Sequence, residues 1–233
     1  MVANRRVPAV VAVLALLTAA TLLVNTVLPV WAYPLCGLVV AGAVLGVARW
    51  SGLRARSIGL DLRQLRRPVV FGLIGLVVIG LVFAVAVTIP ALRGLFDGGR
   101  LETLGVGTLL WVTLVRIPLG TVLLEEVAFR GVLPALFGAG DRWRWGPVLV
   151  AAALFGLWHV IPSMALVRNA TVGAAFGGVP VLVVSLLTML AAAVAGVLLQ
   201  WWRHTGRGLL ASMLVHLATN SGGVLVAWWL LTR

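Results

Sequence analysis

Residues 68–89 read PVVFGLIGLVVIGLVFAVAVTI, without one charged side chain. An α-helix needs about 20 apolar residues to cross a hydrocarbon layer roughly 30 Å thick, so this stretch is long enough to span a membrane. Comparable runs flank it: Val7 to Leu28, Val30 to Val47, Gly105 to Phe137, Pro147 to Val160, Val179 to Trp201 and Leu209 to Leu231. Of the 233 residues, 62% are hydrophobic and 10% charged, whereas a soluble domain keeps about a quarter of its residues charged. The runs are continuous. An outer-membrane barrel would instead show alternating segments of about 10 residues. The expected fold is therefore all-α, a polytopic membrane helical bundle of seven or eight transmembrane helices. The number depends on whether Leu209–Leu231 is one span or breaks at Ser221-Gly222-Gly223.

Eighteen basic residues, all arginine, face six acids. In a soluble chain that balance points to nucleic acid. Here the arginines sit in short connectors between apolar runs, as the positive-inside rule describes, so the expected partner is the lipid bilayer and no nucleic acid. Alternating the spans gathers 12 arginines on the side of the N-terminus and of the connectors after Arg49, Gly138 and Trp202, against four on the other side. That places the N-terminus in the cytoplasm. The run after Arg5 and Arg6 exceeds the 7–15-residue core of a signal peptide and lacks a clear A-x-A site, so it reads as a retained anchor. A lone cysteine, Cys36, excludes an internal disulfide and a cysteine metal cluster. Gly72-x-x-Gly75 reads as close helix packing. Trp143, Trp145, Trp201, Trp202, Trp228 and Trp229 read as an interfacial belt. Residues 1–104 are expected to be N-terminal spans and 105–233 a core that carries the chemistry, all in one structural domain.

Ionisable groups inside a span cost about 2.5–3.5 kcal/mol each on insertion scales, so those present point to function. Among the six acids, only Glu125 and Glu126 lie within apolar sequence, between VLL and VAF. His159 ends ALFGLWH, and His216 lies in MLVHLATN. Residues four apart share a helix face. Glu126 can thus pair with Arg130 and leave Glu125 free about 100° around the helix, while Phe155 shares a face with His159 and His216 with Asn220. A buried carboxylate suits a general base. Two imidazoles suit either zinc or an oxyanion. Arg116 is expected to neutralise a glutamate, and His204 is given no role. A proton-coupled transporter relaying protons through Glu125, His159 and His216 is an alternative, but no internal repeat supports it.

EEVAFR (Glu125–Arg130), FGLWH (Phe155–His159) and HLATN (His216–Asn220) resemble, in order, the EExxxR, FxxxH and HxxxN motifs of the CAAX-protease and bacteriocin-processing (CPBP) intramembrane proteases. The lead-in HTGRGLLASMLVH also fits, and the resemblance covers roughly Val115 to Gly223. It implies an endopeptidase of the bacterial plasma membrane acting on membrane-associated peptides, of prenylated CAAX or bacteriocin-like type. Glu125 would activate a water and His159 would orient that water or a metal. His216 and Asn220 would bind metal or hold the oxyanion, and Glu126 and Arg130 would support the first motif. The metal expectation is zinc, or another divalent ion, held by Glu125, His159 and His216, in which case Glu126 is the nearest candidate for the catalytic base. The metal-free alternative lets Glu125 and His159 activate the water directly. A non-catalytic immunity or scaffold protein of the same fold is a further alternative, against which the complete residue set argues.

Overall fold

In lipid every backbone polar group must be satisfied within the chain, which leaves uninterrupted apolar runs no alternative to the helix. The computed structural model describes residues 5–96, 105–166 and 178–232. Among these it contains no strand and eight helices beyond a few short turns. They are α1 (Arg6–Thr26), α2 (Tyr33–Trp50), α3 (Arg66–Ala86), α4 (Val106–Leu136), α5 (Trp145–Trp158), α6 (Val160–Leu166), α7 (Val181–Gly206) and α8 (Leu209–Leu231). Six of them, α1, α2 (extended by the turn at Val30), α3, α4, α7 and α8, are long and apolar enough to cross a membrane. Helix α5, counted as a span from its sequence, has 14 residues, about 21 Å at 1.5 Å per residue. The run Leu209–Leu231 forms one unbroken helix through Ser221, Gly222 and Gly223, which resolves the choice left open above. Asp97, Arg100, Glu102 and Arg168 lie outside the described residues.

The outer surface is apolar. On α3, Val70, Leu73, Val77 and Leu81 are exposed at spacings of three and four, a face that suits lipid and not water. Its opposite face carries Gly72, against Leu214 of α8, and Gly75, against Val215 and the Trp202 ring. Close helix packing is therefore what these glycines do. Trp202 also donates Nε1–H to the Phe71 carbonyl at 2.9 Å, so this member of the expected belt ties α7 to α3.

Helix α4 runs through the middle of the bundle. Every residue from Leu124 to Leu136 is buried, as in a helix surrounded on all sides. It is not a regular α-helix: widened π-turns occupy Val112–Arg116, Pro118–Val122 and Glu126–Val132. Pro118 has no N–H to give, so the ordinary ladder is interrupted there. π-turns occur often at functional sites, and the last one begins at Glu126.

The arginine-rich connectors meet at one end. Arg5 Nη1 donates to the Trp50 carbonyl at 3.2 Å, and Arg67 Nε to the Thr205 carbonyl at 3.0 Å. Arg203 bridges two connectors, with Nη1 on the Gly140 carbonyl and Nη2 on the Ser57 carbonyl. Leu209 N–H completes the junction on the Gly59 carbonyl at 2.9 Å. The N-terminus and the three basic connectors thus share one face of the bundle, as span alternation requires.

Candidate active site

The glutamate pair sits where α4 enters its last π-turn, and α5 and α8 pack against that part of the helix. Glu126 is fully buried and Arg130 is 1% exposed. The Arg130 Nε lies 3.4 Å from Glu126 Oε1, an ion pair of the expected i, i+4 spacing. The guanidinium lies over the Phe155 ring, 3.8 Å from its centroid, and its nitrogens make no hydrogen bond. Its attraction to the site is thus electrostatic and cation–π in kind.

The tighter partner of Glu126 is His216, 90 positions away, with Nδ1 at 2.9 Å from the same Oε1. An ionised carboxylate only accepts, so the imidazole donates Nδ1–H and turns Nε2 towards Glu125. A carboxylate bound to one ring nitrogen holds a histidine in tautomer and orientation. Glu126 therefore does two things at once, fixing Arg130 and aiming His216, and only the first was expected. Nε2 of His216 is 3.2 Å from the Asn220 amide nitrogen and 3.7 Å from Glu125 Oε2.

Glu125 is held by a residue to which sequence reasoning gave no role. Trp158 donates Nε1–H to Glu125 Oε1 at 2.9 Å. Phe129 supports the indole, its centroid 5.8 Å away. The other oxygen, Oε2, is buried without a hydrogen-bond partner. The only signal for Trp158 was its place next to His159 within FGLWH. His159 gives Nδ1–H to the Phe155 carbonyl at 2.8 Å, which leaves Nε2 as a free acceptor. The Phe155 ring touches both imidazoles, with centroids 4.6 Å from His159 and 6.2 Å from His216.

One expectation needs correction. Among the described residues, Arg116 pairs with no glutamate. It lies over the Tyr33 ring at 5.1 Å, nine positions before Glu125 and so about 13 Å from it along a helix axis. Glu125, His159 and His216 were expected to converge as three ligands. Among the described residues, no three His, Cys, Asp or Glu side chains are placed to hold one ion. Glu125 and His216 approach each other, while Asn220 already engages His216 Nε2.

Helices suited to a membrane, closed around a carboxylate pair and a carboxylate-oriented imidazole, define a polytopic integral membrane protein with a buried cluster of ionisable side chains. Residues 107–222 match the type II CAAX prenyl endopeptidase Rce1-like family, and through them the chain belongs to that family. The match runs from the first turn of α4 to Gly222 of α8 and takes in all three motifs. The family is one of proteases, so the general activity is that of a CAAX-type intramembrane protease. No curated protein and no solved structure matches the chain.

Trp158→Phe tests the indole contact. A hydrogen bond to a charged group contributes about 1.5–3 kcal/mol, which corresponds to a fall in turnover of roughly 10- to 100-fold. The phenyl ring keeps the aromatic packing, but the lost bond should also lower the unfolding temperature by several degrees, so turnover is compared at a temperature where both proteins are folded. Unchanged turnover would remove Trp158 from the site.

Proposed function

We propose that the protein is an intramembrane endopeptidase that cleaves membrane-associated peptides, of prenylated CAAX or bacteriocin-like type, through a water activated by Glu125. The observation that carries this is the state of Glu125: a buried carboxylate with one oxygen fixed by Trp158 and the other unpartnered, facing an aimed imidazole. In the proposed step Oε2 takes a proton from water as the oxygen attacks the scissile carbonyl. The Asn220 amide nitrogen is the donor offered to the developing oxyanion. Collapse breaks the C–N bond, and the proton on Glu125 passes to the leaving amine. The free Nε2 of His159 helps to orient the water. An apolar groove of about 690 Å³ between α3 and α8, lined by Leu217, Ala218 and Ser221 next to the site residues, suits the apolar part of such a substrate.

The test is cleavage of a prenylated CAAX peptide and of a membrane-bound unprenylated peptide by the purified chain in lipid. Zinc remains a proposal of separate standing, and no step above passes through it. If the placed residues act alone, activity should survive chelation and dialysis unchanged. Parallel loss of bound zinc and activity, both restored by zinc, would overturn the metal-free step.

We further propose that the arginine-rich end faces the cytoplasm of a bacterial plasma membrane. In a Cys36→Ser background, Gln64→Cys and Arg142→Cys should resist an impermeant thiol reagent in intact cells and react after permeabilisation. Labelling of either in intact cells would reverse the orientation.

A further inference from the structure

The basic residues at the shared end of the bundle do more than orient it. Between the 51–65 connector, the 138–144 connector and the α7–α8 corner lies a cavity of about 350 Å³, towards the small end of ligand pockets, which span roughly 300–1,000 Å³. Arg56, Arg203 and Arg207 line it, against Asp61 and Asp141, with Gln64 as a neutral donor. None of these belongs to the Glu125–His216 site. Asp141 is engaged by Arg56 at 3.7 Å.

Arg203 is the unusual member. It is 4% exposed, its two hydrogen bonds go to uncharged carbonyls, and its Nε is buried with no partner. A guanidinium taken out of water needs a counter-charge as well as hydrogen bonds. Three arginines face two carboxylates here: Asp141 is shared between Arg56 and Arg203, and Asp61 accepts the Arg63 backbone N–H. Arg207 adds a second sign. It is the one described residue other than glycine with left-handed backbone, at φ 58°, at a corner where glycine would be strain-free. A long cationic side chain is kept there at a conformational cost.

We propose that this cavity binds the phosphate group of an anionic lipid headgroup. Guanidinium forks match phosphate oxygens in charge and geometry. The cavity lies where the apolar helices end, at the level of the headgroups, and so in reach of an anionic membrane surface. Asp141 attracts Arg203 but is shared with Arg56, and a bound phosphate would complete the counter-charge. It would also clamp the α7–α8 corner from which α8 carries His216 into the site.

The test uses the full chain in nanodiscs of phosphatidylcholine alone, the same with added phosphatidylglycerol, and the first with inorganic phosphate in the buffer. Phosphatidylglycerol should raise the unfolding temperature of the wild type by several degrees, and inorganic phosphate should not. Arg207→Gly, which removes the charge and relaxes the corner, should lose most of that shift. Arg56→Gln should lose part of it. Arg142→Gln, which removes a charge at the same end outside the cavity lining, should keep it. An equal shift from inorganic phosphate would assign the cavity to a soluble phosphate and overturn the lipid proposal. No shift, or equal loss in Arg142→Gln and Arg207→Gly, would overturn the site itself.

Discussion

Glu125→Gln should lower peptide hydrolysis by about 10²- to 10⁴-fold, the range a general base contributes, while the protein folds and inserts as before. The amide keeps the shape of the side chain and still accepts the Trp158 N–H through its carbonyl oxygen, so the packing around Phe129 need not change. What it loses is the capacity of Oε2 to take a proton. That oxygen has no hydrogen-bond partner in the resting site and lies 3.7 Å from His216 Nε2, an acceptor that the amide N–H can approach, so the replacement breaks no hydrogen bond. Stability should fall by less than about 1 kcal/mol, as for changes that leave no buried charge unpaired. The measurement is single-turnover cleavage beside thermal unfolding in the same detergent. Full activity in a folded Glu125→Gln protein would remove Glu125 as the base. Loss of activity together with unfolding would assign it to structure.

How much of this was legible in the sequence follows the range of each interaction. Helix positions were readable because lipid leaves apolar runs one solution, and Leu209–Leu231 falls where the sequence places it. Pairs within one helix were also readable: Glu126 with Arg130 and His216 with Asn220 are set by helical spacing alone. The contacts that aim the site, Trp158 to Glu125 and Glu126 to His216, join residues 33 and 90 positions apart. They depend on how α4, α5 and α8 cross and on the π-turns that rotate the end of α4. Periodicity carries no information about either. Arg116 lies nine and ten positions before the glutamate pair, about 13–15 Å along a helix at 1.5 Å per residue, so spacing within α4 already keeps it from them. A three-ligand metal site was inferred from residue types. Residue type names possible ligands without bringing them together, and metal analysis of the purified chain decides the matter.

The second large effect separates the two duties of Glu126. Glu126→Gln leaves Arg130 buried without its carboxylate, and breaking a buried pair by removing one partner costs about 3–5 kcal/mol. Arg130→Met should be destabilising for the mirror reason, since it leaves Glu126 charged and without its cation. The double variant Glu126→Gln with Arg130→Met removes both charges. Replacing a buried pair by groups of similar volume is often close to neutral, and the methionine thioether retains a favourable contact with the Phe155 ring. The double should therefore recover most of the stability lost by either single variant, a coupling of several kcal/mol between neighbouring sites. Activity should recover less fully. Glutamine still accepts Nδ1–H from His216, but a neutral amide holds the imidazole less firmly than a carboxylate in a low-dielectric site. Thermal unfolding and cleavage rates of the four proteins make a complete cycle. Additive losses of stability would show that Glu126 and Arg130 do not act as a pair. Recovery of stability with wild-type cleavage would show that Glu126 serves packing alone, and that its contact with His216 contributes nothing to turnover.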